Sequence, residues 1–144
     1  MNSFFDGKLW IKPLAKTDQG ANRPEVRARL FFPNGELAVL GDGETAFLHL
    51  SYVELKPSMP RGNHYHKLRH EYFYLISGEA EMFGEELSTK ERIQTVLQAG
   101  DLVFINPEIA HVFIPRGAGH AIEFAPERFD AADVYRYPLL RLSE

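Results

Sequence analysis

The sequence predicts an all-β domain that closes into a barrel or sandwich. Three observations support this prediction. The chain of 144 residues has about the length of one domain, short apolar runs alternate with turn residues along it, and only residues 127–135 suggest a short helical turn. So many short strands must close on themselves, because unpaired strand edges promote aggregation.

The first predicted strands lie in the N-terminal part of the chain. Residues 26–32 run into Pro33-Asn34-Gly35, and residues 37–40 run into Gly41-Asp42-Gly43. This pattern predicts a hairpin followed by a second turn. Residues 46–55 come next and predict one long strand.

The second half of the chain contains the clearest strand pattern. Residues 71–76, the turn Ser77-Gly78 and residues 79–83 predict a strand, a tight turn and a returning strand. The remaining predicted strands are residues 92–97, 101–105, 111–114 and 120–124. The whole chain therefore contains about eight to ten predicted strands.

Composition excludes several kinds of site and partner. The chain has no cysteine, so a bound metal must be held by nitrogen and oxygen ligands. The net charge is -4 and the basic residues are scattered, so we expect neither nucleic acid nor a membrane surface as partner. The N-terminus does not resemble a signal peptide, and no run approaches the ~20 apolar residues of a transmembrane helix. We therefore expect a cytoplasmic protein.

A group of histidines near the middle of the chain predicts a metal site. Side chains two residues apart on a strand point to one face, so His64 and His66 can present both imidazoles to the same point. Glu71 opens the next predicted strand with His70 on the opposite face, which favours Glu71 as the third ligand. His111, at the start of a later strand, can supply a fourth. This ligand set suits one divalent transition metal, Zn, Mn, Fe, Ni or Cu, with positions left for water or substrate.

The spacing of these residues resembles the two motifs of the cupin superfamily. The first motif is His-x-His, four residues, Glu, six residues and Gly, and it is matched in full by His64, His66, Glu71 and Gly78. Ser58 replaces the glycine that precedes this motif in the family. The second motif keeps its glycine and its histidine, at Gly100 and His111.

The resemblance implies a single-domain cupin over residues 1–144, folded as a double-stranded β-helix, or jelly-roll, barrel with the ligands converging at its mouth. Residues 1–45 would supply N-terminal strands. Residues 56–114 would carry the two cupin motifs, and residues 120–144 would form the closing strand and the C-terminal tail.

Two segments resemble cupins that act on sugar nucleotides. Arg61-Gly62-Asn63-His64 is similar to the Arg-Gly-x-His segment of the 3,5-epimerases and 3,4-ketoisomerases of dTDP-4-keto-6-deoxyhexoses, and of the zinc cupin domain of capsular-polysaccharide enzymes. Residues 129–137 are similar to the C-terminal segment of the ketoisomerases. The resemblance implies an isomerase or epimerase acting on a nucleotide sugar or keto sugar. Its metal would be zinc in the first place, with Mn, Fe or Ni as alternatives.

Proton transfer next to a ketone needs an acid and a base, and a histidine bound to a metal is not free for this role. We therefore take His49, Tyr52 and Tyr74 as candidate catalytic residues, each of which could instead be a core or interface residue. Arg61 is the candidate for binding the pyrophosphate, or alternatively an ion-pair partner. The family resemblance implies that metal-free ketoisomerases usually carry Gln at the glutamate position and use the motif histidines as acid and base, so Glu71 favours the metal-binding alternative.

Two other functions remain open at this point. The same ligands could hold Fe(II) in a dioxygenase, or the metal could anchor a ligand in a non-catalytic small-molecule-binding module. We also expect a homodimer, because edge strands of small barrels pair readily across a two-fold axis and the N-terminal strands could be exchanged.

Overall fold

The structure is a computed structural model and describes residues 1–18 and 27–140. In this part of the chain the strands, in order, are β1 (Asn2–Phe4), β2 (Leu9–Pro13), β3 (Ala15–Asp18), β4 (Ala28–Phe32), β5 (Gly35–Val39), β6 (His49–Leu55), β7 (Arg61–Tyr65), β8 (Glu71–Ser77), β9 (Glu79–Glu86), β10 (Arg92–Gln98), β11 (Asp101–Ile105), β12 (Ile109–Pro115), β13 (Gly119–Ala125) and β14 (Tyr135–Arg136). A short 3₁₀ helix spans Ala131–Asp133. None of the helical segments described has the length and apolarity needed to cross a lipid bilayer.

Two antiparallel sheets form the barrel. One has six strands in the order β1-β2-β11-β8-β13-β6, and the other has five in the order β10-β9-β12-β7-β14. The main core contains inward-facing side chains from both sheets, such as Phe73 and Val103 from the first and Met82 and Phe113 from the second. Burial of apolar side chains between the sheets is the main favourable term in their association. The predicted all-β jelly-roll barrel is confirmed.

Further layers cover the outer face of each barrel sheet. β3, β4 and β5 form a third sheet, and an apolar cluster on the outside of the six-stranded sheet includes Tyr72, Tyr74 and Leu102. A second outer cluster, on the five-stranded sheet, contains Val112 and the C-terminal Leu139. Strands buried on both faces carry apolar residues at successive positions, which explains why β8 and β12 have near-continuous apolar sequences.

Several predicted strands have different limits in the structure. The strand expected over residues 26–32 begins at Ala28 in β4, and residue 26 lies outside the described residues. The strand expected from residue 46 begins only at His49. β1, β2 and β3 were not predicted individually, because the first 18 residues contain few of the turn signals that delimit strands.

We predict unequal effects of two neighbouring substitutions in β10. Leu97 is fully buried in the barrel core, whereas Val96 faces outward and is partly exposed. Leu97→Ala should lower the free energy of unfolding by about 2–5 kcal/mol, because the cavity is left inside close-packed surroundings. Val96→Ala should cost less than about 1 kcal/mol. Urea unfolding followed by tryptophan fluorescence measures both, and equal losses would contradict the barrel core described here.

Candidate functional site

Three histidines converge inside the barrel. One ring nitrogen from each of His64, His66 and His111 can be chosen so that all three atoms lie within 4.8 Å of one another. The ring centroid of His64 lies 4.9 Å from that of His66 and 5.0 Å from that of His111. This grouping is close enough for one metal ion to contact all three imidazoles.

An irregularity in β7 positions His64 beside His111. His64 pairs with His111, but the next pair is Gly62 with Val112, which marks a bulge between β7 and β12. Gly62 and Asn63 have φ values of +112° and +62°. A Cβ atom at residue 62 would lie 2.6 Å from the His111 carbonyl oxygen, so this close approach of the strands requires glycine.

Backbone carbonyls fix the orientation of two of the imidazoles. His66 Nδ1 lies 2.8 Å from the Asp133 carbonyl oxygen, and His111 Nδ1 lies 3.0 Å from that of Ile109. A carbonyl only accepts hydrogen bonds, so each Nδ1 must carry the proton and donate it. The Nε2 atom of His66 is buried without a hydrogen-bond partner, and in the neutral ring it has a free lone pair. A backbone carbonyl that accepts from one ring nitrogen while the other is left to a cation is typical of metal-binding histidines.

The Asp133 side chain organises the segment after the histidines. Its carboxylate accepts hydrogen bonds from the backbone N–H groups of Lys67, Leu68 and Arg69, with donor–acceptor distances of 2.8, 3.2 and 3.1 Å. Burial raises the pKa of the Asp133 carboxyl, but these three donors outweigh that effect and hold it below its ordinary value. Asp133 therefore fixes the turn that connects His66 to Glu71.

Glu71 completes the cluster beside His111. Its Oε2 atom lies 2.8 Å from His111 Nε2. Burial raises the pKa of Glu71, but the adjacent His111 lowers it further, and the carboxyl is left below its ordinary value. Burial lowers the pKa of His66, and burial together with the nearby His111 lowers that of His64 to about 4. At neutral pH the site therefore offers a carboxylate and two neutral imidazoles.

A hydrogen bond between an arginine and a glutamate lies next to this cluster. Arg69 Nη2 donates to Glu123 Oε1 over 2.8 Å, and the Arg69 side chain is only 4% exposed. Burial, followed by the charge of Glu71, raises the pKa of Glu123 to about 8. Sequence reasoning did not identify Arg69, Glu123 or Asp133 as site residues. They reach the site through contacts between residues more than fifty positions apart, and neither strand parity nor the cupin motifs reveal such contacts.

The cluster lies in a cavity of about 320 Å³. The polar side chains of its wall come from β7, β8, β12, β13 and the segment that connects β7 to β8. The residues that line it include Arg61, His64, His66, Arg69, Glu71, His111, Glu123 and Phe129. The donor set fits a divalent metal, because His66 Nε2 and Glu71 Oε2 are both buried without hydrogen-bond partners. Both atoms can offer a lone pair to a cation.

The structure brings together the four predicted ligands and places Arg61 in the same cavity wall. His70 lies outside the cavity and pairs with Glu127, as its strand parity predicts. His49 faces inward at the start of β6, and its ring centroid lies 6.3 Å from that of Phe129, a cavity-lining residue. Burial lowers the pKa of His49. His49 therefore lies near the cavity without lining it.

The predicted catalytic roles of Tyr52 and Tyr74 need correction. Tyr74 belongs to the apolar cluster outside the six-stranded sheet. Tyr52 is 61% exposed and contacts His120 through its hydroxyl. Both residues occupy outward-facing positions of their strands, because the inward faces carry Val53 in β6 and Phe73 in β8. Neither residue lines the cavity that contains the histidine cluster.

Comparison of the sequence with models of known protein families shows which family the chain belongs to. Residues 43–128 match the family described as the polysaccharide biosynthesis C-terminal domain. The chain belongs to this family. The matched segment contains both cupin motifs and β6 to β13, so the family region includes all four predicted metal ligands. None of the curated proteins compared with the chain matches it in sequence.

Solved structures share the fold of this family member. A TDP-quinovose 3,4-ketoisomerase from Campylobacter jejuni aligns with a TM-score of 0.68 and 18% identity over 77% of this chain and 88% of that chain. A dTDP-6-deoxy-D-glucose-3,5-epimerase from Legionella pneumophila aligns with a TM-score of 0.72 and 10% identity, over 93% of this chain and 74% of that chain. A capsular polysaccharide assembling protein from Staphylococcus aureus aligns with a TM-score of 0.59 and 23% identity, over 66% of this chain and 27% of that chain. The resemblance to the folds of the sugar-nucleotide cupins is confirmed.

We predict that Asp133→Asn destabilises the protein in a pH-dependent manner. One amide oxygen cannot replace two carboxylate oxygens for three N–H donors, so the free energy of unfolding at pH 7 should fall by about 1–3 kcal/mol. The native carboxyl has a lowered pKa. Its stabilisation is therefore complete above the unfolded pKa of about 4 and is lost as pH falls through the lower folded pKa.

The difference between wild type and variant should therefore shrink below about pH 4. Denaturant unfolding at several pH values measures it. The control is Asp130→Asn, at an exposed residue that caps the 3₁₀ helix by accepting from the Ala132 N–H group. Asparagine caps nearly as well, so this change should cost less than about 0.5 kcal/mol. A loss for Asp133→Asn that does not vary with pH would exclude the proposed role of the carboxylate.

Proposed function

We propose that the protein is an isomerase or epimerase acting on a nucleotide sugar or a related keto sugar. The observation that carries this proposal is the cavity, in which histidines, Glu71 and Arg69 surround a space large enough for one sugar ring. The ketoisomerases and epimerases that share the fold carry names that describe reactions on sugar nucleotides. Fold similarity alone does not assign a reaction, so the cavity chemistry is the stronger support.

One divalent metal ion, with zinc as first choice, is part of this proposal. His64, His66, Glu71 and His111 would hold it. A bound metal would polarise the substrate carbonyl and stabilise negative charge on its oxygen. The support is that two acceptor atoms, His66 Nε2 and Glu71 Oε2, are buried without hydrogen bonds.

His49 is the proposed acid or base among the residues predicted from the sequence. It faces inward in β6 and lies beside Phe129 at the cavity. Burial lowers its pKa, which favours the neutral imidazole that a general base requires. Its Nε2 atom lies 3.2 Å from the Ser51 hydroxyl, which helps to orient the ring.

Arg61 is the proposed contact for the diphosphate of the nucleotide. It lines the histidine cavity and also a second, exposed hollow of about 420 Å³ that contains Lys56. Its Nη2 atom donates to the Glu54 carbonyl oxygen over 2.7 Å, which holds the guanidinium beside the hollow. A sugar in the cavity could therefore extend its diphosphate past Arg61 towards Lys56, where two positive charges would attract it.

We predict about one equivalent of bound transition metal in wild-type protein purified without an affinity tag. His66→Ala and Glu71→Ala should each lose most of it, because each removes one ligand from a four-ligand set. His70→Ala is the matched control, since His70 neighbours Glu71 in sequence but pairs with Glu127 outside the cavity. Elemental mass spectrometry measures the metal. An empty wild-type site, or equal loss in His70→Ala, would refute the proposed ligands.

Nucleotide binding tests the substrate class separately. We expect dTDP or UDP at millimolar concentration to raise the Tm of the wild-type protein, because a ligand that binds only the native state stabilises it. Arg61→Met should reduce the shift. Arg116→Met is the control, since Arg116 is half-exposed and pairs with Glu79 and Glu81 away from both hollows. If neither nucleotide shifts the Tm of wild type, the nucleotide-sugar substrate is wrong.

We also propose that the protein forms a homodimer through the outer face of β6. β6 is the terminal strand of its sheet. Leu48, which precedes β6, and Leu50, near its start, are 63% and 74% exposed. They border an apolar groove of about 650 Å³ that runs to Leu40. An exposed apolar patch of this kind, on a strand that ends its sheet among the described residues, is typical of an interface, and a second copy could pack against it.

Light scattering after size-exclusion chromatography tests the dimer. We expect twice the chain mass of 16.5 kDa at micromolar concentration. Leu50→Glu should shift the population to monomer, because a charge in an apolar interface is costly. Val96→Glu, at a partly exposed position on the other barrel sheet, should leave the mass unchanged. A monomeric wild type would exclude the dimer.

A further inference from the structure

The cavity contains an unsatisfied donor as well as unsatisfied acceptors. Among the described residues, four buried side-chain atoms lack hydrogen-bond partners, and three of them belong to residues that line this one cavity. The three atoms are His66 Nε2, Glu71 Oε2 and Arg69 Nη1. An unsatisfied buried polar group is costly, so this concentration marks a place where a ligand completes the hydrogen bonding.

A metal ion can satisfy only two of these atoms. His66 Nε2 and Glu71 Oε2 offer lone pairs, which a cation accepts. Arg69 Nη1 carries N–H groups and has no lone pair, so it needs an acceptor oxygen. Glu123 is the carboxylate that contacts Arg69, and it already accepts from the other terminal nitrogen, Nη2, of the same guanidinium.

Arg69 is held rigidly in the cavity wall. Its backbone N–H donates to Asp133 and its Nη2 atom donates to Glu123. An arginine held at its backbone and at one terminal nitrogen loses less conformational freedom when it binds a ligand than an unrestrained one does. With a divalent metal bound, the three positive charges of the metal and Arg69 exceed the two negative charges of Glu71 and Glu123, which line the same cavity. The cavity then favours an anionic ligand.

We propose that Arg69, positioned by Glu123, binds an anionic oxygen of the ligand beside the histidine cluster. This inference rests on the proposed function for one of its two sources, the enolate of a keto sugar. The other source is a carboxylate already present on the ligand. Both present an oxygen with free lone pairs to Arg69 Nη1, and the guanidinium would form a charge-assisted hydrogen bond with either.

In the enolate case the step is a simple proton transfer. A base removes the proton from the carbon next to the ketone, the C–H pair becomes the new C=C bond, and the carbonyl π pair moves to oxygen. The oxygen gains a full negative charge as the base gains the proton. A donor already in place at that oxygen stabilises the charge without rearrangement, which is how oxyanion-binding groups accelerate such reactions.

Three small probes of similar shape separate the possibilities. All titrations are run at an alkaline pH at which hydroxamic acids are ionised. Acetate then presents a carboxylate, acetohydroxamate presents an enolate-like oxyanion, and acetamide is neutral. Isothermal titration calorimetry measures their affinities for wild type, Arg69→Met and Arg69→Lys, in metal-free and in zinc-loaded protein. We expect Arg69→Met to weaken at least one anionic probe by about tenfold to a hundredfold, the range for a hydrogen bond to a charged group. Acetamide binding should change little.

Matched variants separate this effect from a loss of fold. Arg92→Met removes an arginine that also pairs with a buried glutamate, Glu85, but at an exposed position outside the cavity. It should leave the affinities for all three probes unchanged. Arg69→Lys keeps the positive charge but not the planar guanidinium with its fixed N–H donors. Its affinity for the anions should therefore lie between those of Arg69→Met and wild type. Tm and zinc content of each variant show whether the fold and the metal ligands survive.

The outcomes distinguish the inference from the proposed function. If only the affinity for acetate falls in Arg69→Met, the natural ligand carries a carboxylate. If the affinity for acetohydroxamate falls, Arg69 binds the enolate oxygen. If folded Arg69→Met binds both anions as well as wild type does, or loses acetamide equally, the inference is wrong. Wild type that binds no anion leaves Arg69 Nη1 to a water molecule and also overturns it. Failure of dTDP and UDP to bind would refute the nucleotide-sugar substrate without altering these results.

Discussion

The alternation of side chains along β-strands is the constraint on which the structure depends. Each strand of the barrel has an inner and an outer face, and in the central strands both are buried. In β8, Glu71 and Phe73 point into the barrel while Tyr72 packs under the outer layer. A shift of one residue in register would exchange these faces and place an aromatic ring where the carboxylate lies. The apolar layers therefore fix the register, and the register fixes the chemistry inside.

The barrel interior holds two acidic and one basic side chain close to three histidines, in a space that apolar residues could have filled. Replacing such buried charges with apolar groups is often neutral or stabilising, so their presence is weak evidence for a contribution to stability. The hydrogen bond from Arg69 to Glu123 reduces the desolvation cost of both groups. Buried polar groups retained at such a cost are typical of functional sites.

The sequence allowed much of the barrel and four candidate ligands to be predicted, because both depend on local periodicity and spacing. Parity alone selected Glu71 over His70, and the structure agrees. The same parity, applied to β8, would have excluded Tyr74 as well. Glu123 and Asp133 could not be found in this way, because their contacts with Arg69 depend on how distant strands meet in three dimensions.

The carboxylate of Asp133 has a consequence for the order in which the site forms. It lies more than sixty residues after the segment that it fixes, and its backbone carbonyl also orients His66. As a chain is synthesised from its N-terminus, the strands that carry the histidines emerge first. The turn after His66 and the His66 imidazole can adopt their final positions only when Asp133 is also available to contact them. The site therefore reaches its final geometry only after nearly all of the described chain has left the ribosome.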